Sequence, residues 1–186
     1  MTAALGLYAN LRLPSPWSPA TKKTALVVYG ISGAKGVFAV KFAARSDIRP
    51  IIAIAGKSKD SVANLIDPSK GGIILDYRDG NEKLKHSIKE ALKSAKPNKI
   101  AYTLDTIAEH GSPELLSEVL PFSAHLTLSL PNLDCSYTRK DLVTSVISVG
   151  YVHYNEPDDN DSVNYATILS GNDFGYVWSR LLVVNA

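Results

Sequence analysis

The residues with the clearest chemical potential are three glycines, Gly30, Gly33 and Gly36, in the stretch VVYGISGAKGVFAVKFAA. They follow a β-rich run directly and open a helical pattern. In such a turn the missing Cβ atoms let backbone N–H groups approach a pyrophosphate at the positive end of the helix. The last glycine also lets helix and strand pack closely. The spacing is G-x-x-G-x-x-G, with Ser32 standing where the commoner G-x-G-x-x-G pattern has its middle glycine. This strand–turn–helix context points to nucleotide binding. The competing reading is a tight turn that binds nothing.

A second indication lies about 20 residues further on, where NAD-binding proteins usually place an Asp or Glu against the ribose hydroxyls. Here the chain reads Ala55-Gly56-Lys57-Ser58-Lys59, with no acid before Asp60. Two ammonium groups and a hydroxyl can hold a 2′-phosphate that a carboxylate would repel, so NADP(H) is favoured over NAD(H). Otherwise Lys57 and Lys59 are ordinary solvated loop lysines.

Other candidates are weaker. None of the four histidines, His86, His110, His125 and His153, has another histidine or a cysteine three or four residues away, so no metal site is expected. His86 lies on a predicted exposed helix face. His110 follows the loop after a strand and reads as an acid or base, or as a plain loop residue. Cys135 is the one cysteine, which excludes an intrachain disulfide and reads as an unreactive thiol without a positioned base.

The elements that position these groups alternate. Segments 24–29, 50–55, 72–75, 100–104 and 124–130 read as strands, mostly continuous apolar runs of the kind buried on both faces. Between them, helices are expected over 34–44, buried nearly all round, over 60–66, and over 81–95 with Leu84, Ile88 and Leu92 four apart. A fourth starts at Ser112 as N-cap with Pro113 at its first position. Strands alternating with helices at this spacing mean βαβ units. The expected fold is α/β: a Rossmann-like, doubly wound, largely parallel six-stranded sheet with helices on both faces. Residues 1–23 form a leading helix (2–11) and a proline-rich connector; residues 24–186 form the dinucleotide-binding domain. The sixth strand runs over 142–154, from Leu142 to Tyr154. After an acidic loop, NEPDDNDS, a last helix capped by Asn172 or Asp173 carries Phe174, Val177, Trp178, Leu181 and Leu182 as one apolar stripe.

Composition narrows the function. The 186 residues carry 20 Lys plus Arg against 18 Asp plus Glu, a net charge of +2, which argues against an electrostatic nucleic-acid binder. A hydrophobic share of 45% suits a folded domain, and no apolar run approaches a membrane span. The opening MTAALGLYANLRLPSP lacks the pattern of a secretory signal, so a soluble cytoplasmic protein is expected.

The segments YGISGAKG, IAIAGKSKDSVANLI, IILDYRDG and YTLDTI, with TAALGLYANLRL before and GNDFGYVWSRLL after them, resemble the cofactor half of the medium-chain dehydrogenase/reductase superfamily. The likeness is to its zinc-free quinone oxidoreductase branch, including fungal trans-acting enoyl reductases. That resemblance implies a cofactor site. Gly30, Ser32, Gly33, Ala34, Lys35 and Gly36 match the pyrophosphate turn, while Lys57, Ser58 and Lys59 lie where the NADP phosphate is held. Tyr77 falls near the adenosine phosphate, Asp105, Thr106 and Ile107 pass close to the cofactor, and Leu128, Ser129 and Leu130 end a strand near the nicotinamide. The family's substrate-binding β domain is not matched, so the resemblance implies a pocket completed by a partner or dimer mate. The 142–154 edge strand is the expected homodimer contact. Two functions follow. One is an NADP(H)-binding oxidoreductase-like protein, such as an enoyl or quinone reductase of secondary metabolism acting on a small-molecule substrate. The other is a reductase descendant without hydride transfer, serving as a binding module or catalysing a cyclisation or isomerisation.

Overall fold

The computed structural model describes residues 1–95, 100–130, 138–147, 174 and 176–178. Six strands, β1 (Leu26–Tyr29), β2 (Ile51–Ala55), β3 (Ile73–Asp76), β4 (Tyr102–Asp105), β5 (His125–Leu128) and β6 (Val143–Val146), form one sheet in the order β3-β2-β1-β4-β5-β6. Every pair is parallel. Parallel neighbours need crossover connections, so all strand C-termini fall on one edge. Tyr29 stands beside Ile54 and Asp105, and Asp105 stands beside Leu128. The order reverses between β1 and β4, which is where open α/β sheets form their crevice.

Alternate side chains of the strands face two cores. Leu26, Val28 and Leu104 pack on one face with α2 (Ala34–Arg45) and the leading segment. Val27, Ile54 and Leu126 pack on the other with α3 (Asn81–Ala95) and α4 (Ser112–Val119). Each buried Leu, Ile or Val contributes about 1.5–3 kcal/mol. Thr103 sits fully buried in β4, and its hydroxyl has no hydrogen-bond partner among the described residues.

Several elements differ from the sequence expectation. The leading helix is one α-turn, α1 (Thr2–Ala4), widening into a π-helix over Leu5–Asn10. There Gly6 packs so closely on Leu104 and Ile147 that a Cβ would lie 2.8 Å and 2.9 Å from their terminal carbons. The expected 60–66 helix is 3-10, Asp60–Leu65, followed by a second 3-10 turn, Pro68–Lys70. Pro68 disfavours helical geometry at Asp67, and a three-residue period places Val62 and Leu65 on one side. Helix α2 is not buried all round, because Phe38 is 48% exposed. The N-cap of α4 is Gly111, at φ +80°, and not Ser112. The Ser112 hydroxyl is engaged elsewhere, by Asp105.

In the last helical stripe, Trp178 is core. It stacks on Tyr8 with ring centroids 4.7 Å apart and touches Trp17, Phe42 and Phe174, whereas Val177 is exposed. Leu181, Leu182, the capping Asn172 and Asp173, Cys135, and the part of the sixth strand beyond Ile147, with Tyr154 and His153, lie outside the described residues.

Candidate functional site

The glycine turn joins β1 to α2 at the sheet's C-terminal edge. Its three glycines have different reasons to be glycine. Gly30 has φ +85°, and a Cβ there would press on Ile107 and the Thr106 hydroxyl. At Gly36 a Cβ would overlap the Gly30 carbonyl and come within 2.5 Å of Ile31 Cα. Both positions are closed by the protein's own backbone and packing. Gly33 differs: its φ is an ordinary −85°, and the nearest atom to an added Cβ is the Gly30 carbonyl oxygen at 3.8 Å. Nothing among the described residues requires glycine at 33, and its open side faces outward next to the start of α2.

That helix start suits an anion. The first N–H groups of a helix have no intrahelical acceptor. In α2 the Val37 amide is the first to reach back, to the Gly33 carbonyl at 2.9 Å, and no side chain caps the amides before it. The first turn carries no acidic residue. Lys35, second in the helix, extends across the edge and donates from Nζ to Ser129 Oγ at 2.8 Å. The turn and the end of β5 are thereby joined by a side chain.

The loop after β4 is held by Asp105. Its carboxylate is fully buried; Oδ1 accepts the Ile107 and Ala108 amides at 2.9 Å each, and Oδ2 accepts the Ser112 hydroxyl at 2.6 Å. Burial pushes its pKa up, against the opposing pull of these hydrogen bonds and of the Lys35 charge. The loop places Ala108 and His110 at φ +56°, in the left-handed region that costs a non-glycine residue about 1 kcal/mol or more. Asp105 offsets that cost, so its carboxylate is committed to its own loop. Thr106 locks the loop to β1, donating from Oγ1 to the Tyr29 and Gly30 carbonyls at 2.8 Å and 3.0 Å. Ile107, 36% exposed, closes over Gly30. Leu128 is fully buried, Ser129 nearly so, and Leu130 half-buried at the end of β5.

At the end of β2, Lys57 and Ser58 are exposed and Lys59 half-buried. Gly56 is required by Tyr77, whose ring lies where a Cβ at 56 would be and stacks toward Tyr29 at 6.5 Å. Two residues escaped the sequence reading. Asp76 ends β3 in register with Ala55, so a carboxylate does stand beside the lysine loop. It is neutralised by Arg78, whose Nε and Nη2 donate to its two oxygens at 3.0 Å and 2.6 Å. Arg78 first, with Lys59 contributing, holds the Asp76 pKa at about 2. The signal was in the DYRDG segment, where an acid and an arginine two apart end a strand. Glycine turn, lysine loop, Tyr77, the β4 loop and the end of β5 thus line one edge of the sheet.

A cleft of about 890 Å³ lies instead near the opposite edge, between α3 and the starts of β2 and β3. Two of its cations, Arg49 and Lys70, are paired with Asp47. No group of three metal-ligating side chains occurs among the described residues, and no helix among them is long and apolar enough to cross a membrane.

No family model matches the chain. Among curated proteins it is 39% identical over 155 residues to the trans-enoyl reductase fsr4 of Gibberella fujikuroi, covering 82% of this chain and 45% of that protein. It is 33% identical over 109 residues to the trans-enoyl reductase eqxC of Fusarium heterosporum, covering 58% of this chain and 28% of that one. The chain spans less than half the length of these two relatives. Among solved structures, the apo JamJ enoyl reductase superposes with a TM-score of 0.63 at 16% identity, over 97% of this chain and 46% of that one. At that identity the superposition speaks for the fold alone. Sheet order, glycine turn and these sequence likenesses agree, and together they make the chain a medium-chain dehydrogenase/reductase-like protein.

Proposed function

We propose that the chain is the NADP(H)-binding part of an oxidoreductase of secondary metabolism, of the enoyl or quinone reductase kind. The observation that carries this reading is Gly33: a glycine that no packing among the described residues requires, beside the uncapped first turn of α2. The amides of Ala34, Lys35 and Gly36 would hold the diphosphate there. Lys57, Ser58 and Lys59 would hold the 2′-phosphate, with Asp76 prevented from repelling it by Arg78. Tyr77 would flank the adenosine. Asp105 and Thr106 would shape the cofactor edge by fixing the loop and the turn with their side-chain oxygens.

NADPH, when bound, would supply a hydride to an activated double bond, and an enoyl group is the substrate class suggested by the names of the curated relatives. Hydride transfer needs water excluded from the ring and the acceptor carbon in contact with it. The described residues line one side of that space, so a partner or dimer mate completes the pocket. Strand β6 offers a contact, since its outer edge has no strand partner among the described residues and Val143 is half exposed.

Calorimetric titration with NADPH and NADH tests the reading. Micromolar NADPH binding with weaker NADH binding is expected; silence with both refutes it. Light scattering tests the dimer, which a 20 kDa species alone would exclude.

A further inference from the structure

Helix α2 turns outward a face that the nucleotide reading does not use. Phe38, Lys41, Phe42 and Arg45 stand at i, i+3, i+4 and i+7, so they share one side of the helix, opposite the buried Gly36, Ala39, Val40 and Ala43. Phe38, Lys41 and Arg45 are exposed and Phe42 is half-buried. Phe38 lies 6.1 Å from Phe42, Trp178 meets Phe42 edge-on at 5.3 Å, and Trp17 stands 5.2 Å beyond Trp178. Rings from three separate segments of the chain thus form one row. Its ends are open to water, Phe38 at 48% and Trp17 at 58%, while Trp178 between them is recessed at 3%. A groove of about 830 Å³ runs beside it, with Arg12, Leu13 and Val177 in its walls.

Single exposed rings are ordinary on a protein surface, whereas a contiguous row of them marks an interaction site. Trp17 is moreover held in place. It is the third residue of the turn Ser15-Pro16-Trp17-Ser18, closed by the Ser18 amide on the Ser15 carbonyl at 3.0 Å, with proline fixing the second position. A partner meeting this indole therefore pays little entropy to order it.

The charge around the row has one sign. Helix α2 carries Lys35, Lys41 and Arg45 and no acid, and Arg12 lines the groove. Lys35 is given to Ser129, but the side chains of Arg12, Lys41 and Arg45 have no hydrogen-bond or ion-pair partner among the described residues. On α3, by contrast, Lys83, Lys85 and Lys93 are answered by Asp79, Glu82, Glu118 and Glu90. A flat bilayer would touch only the ends of a row whose middle is recessed. The protruding side chains of another protein can enter it, and the unanswered cations favour carboxylates beside them.

We infer that the face running from Phe38 to Trp17 docks an acidic, amphipathic segment of a partner protein. Its apolar side chains would fill the groove and the recess over Trp178, and its carboxylates would meet Arg12, Lys41 and Arg45. The inference stands apart from the nucleotide reading, and either can fail without the other.

The test is fluorescence anisotropy of the full chain with a labelled helical peptide bearing leucines on one face and glutamates on the other, run beside its counterpart with lysines for glutamates. The glutamate peptide should bind in the micromolar range, more weakly as salt is raised, and the lysine peptide should not bind. Trp17→Ala should weaken binding about tenfold or more, and so should Lys41→Glu combined with Arg45→Glu. The same change of charge on α3, Lys89→Glu with Lys93→Glu, should leave binding within about twofold of wild type. Should Trp17→Ala lose stability through its contact with Trp178, the two charge-reversal pairs decide by themselves. No binding of the glutamate peptide, equal binding of both peptides, or equal losses from the α2 and α3 pairs overturns the inference. Binding of phosphatidylserine vesicles in place of the peptide also overturns it, since the face would then be a membrane contact. So does light scattering that shows a dimer lost on Trp17→Ala with no affinity for the peptide, which would make the face a contact between copies.

Discussion

Replacing Gly33 and Gly36 separately by alanine tests whether the turn is shaped for a ligand or only for packing. At Gly33 an added Cβ meets nothing closer than the Gly30 carbonyl at 3.8 Å, and φ of −85° is ordinary for alanine. Alanine is a poorer N-cap than glycine by about 0.5–1 kcal/mol. Restricting the unfolded chain returns about 0.4–1 kcal/mol, so Tm should move by less than about 2 °C. At Gly36 the Cβ overlaps backbone, which has no side-chain rotation to relieve it. A cost of about 3 kcal/mol is expected, a fall in Tm of about 6–12 °C for a chain of this size. Binding should sort the two differently. The Gly33→Ala methyl stands on the open side where a diphosphate would approach the α2 amides. Loss of one or two charge-assisted hydrogen bonds weakens NADPH by about ten- to hundredfold. Thermal unfolding paired with calorimetry reads both effects. A Gly33→Ala protein that is stable and binds NADPH like wild type would refute the reasoning about the open side. A Gly36→Ala protein as stable as wild type would refute the packing argument.

Four further outcomes are expected. Lys57→Ala and Lys59→Ala should each weaken NADPH about five- to tenfold and leave NADH nearly unchanged, an effect that fades with salt because Lys57 is exposed and Lys59 only half-buried; equal losses for both nucleotides would remove the 2′-phosphate assignment. Thr103→Val should raise stability by about 1 kcal/mol, since it removes a buried hydroxyl without a partner at nearly constant shape, and denaturant unfolding measures it. Asp105→Asn should flatten part of the pH dependence of stability. A carboxyl whose pKa is raised in the fold binds its proton more tightly folded than unfolded, so its contribution is greatest below the ordinary aspartate range and is lost as pH rises through the folded value. Wild type minus variant should therefore decline across that window, and a rising difference would reverse the assignment. Trp178→Ala should cost about 3–5 kcal/mol by emptying the space between Tyr8, Phe42 and Phe174, seen as a lowered unfolding midpoint.

The strand–helix alternation, and with it the parallel sheet, is legible in the residue pattern alone. Continuous apolar runs such as PIIAIA have no polar face to turn to water, and a chain of them must be covered on both sides. Helix α3 was legible to the residue because Leu84, Ile88 and Leu92 mark its buried face and lysines its other side. The glycine turn was legible as a motif, yet not the division of labour within it. Local pattern says that three positions lack side chains, whereas only the approach of Ile107, Thr106 and the backbone at Ile31 separates the two closed glycines from the open one. Tertiary structure likewise decided what Asp105 and Ser112 do. A serine before proline reads as a cap, but a buried carboxylate seven residues upstream competes for its hydroxyl and wins, because leaving that charge unbonded would cost more than an uncapped helix. Asp76 facing the lysine loop and Lys35 reaching Ser129 join residues on different crossovers. Their meeting depends on strand order and register, which appear only once the sheet has formed.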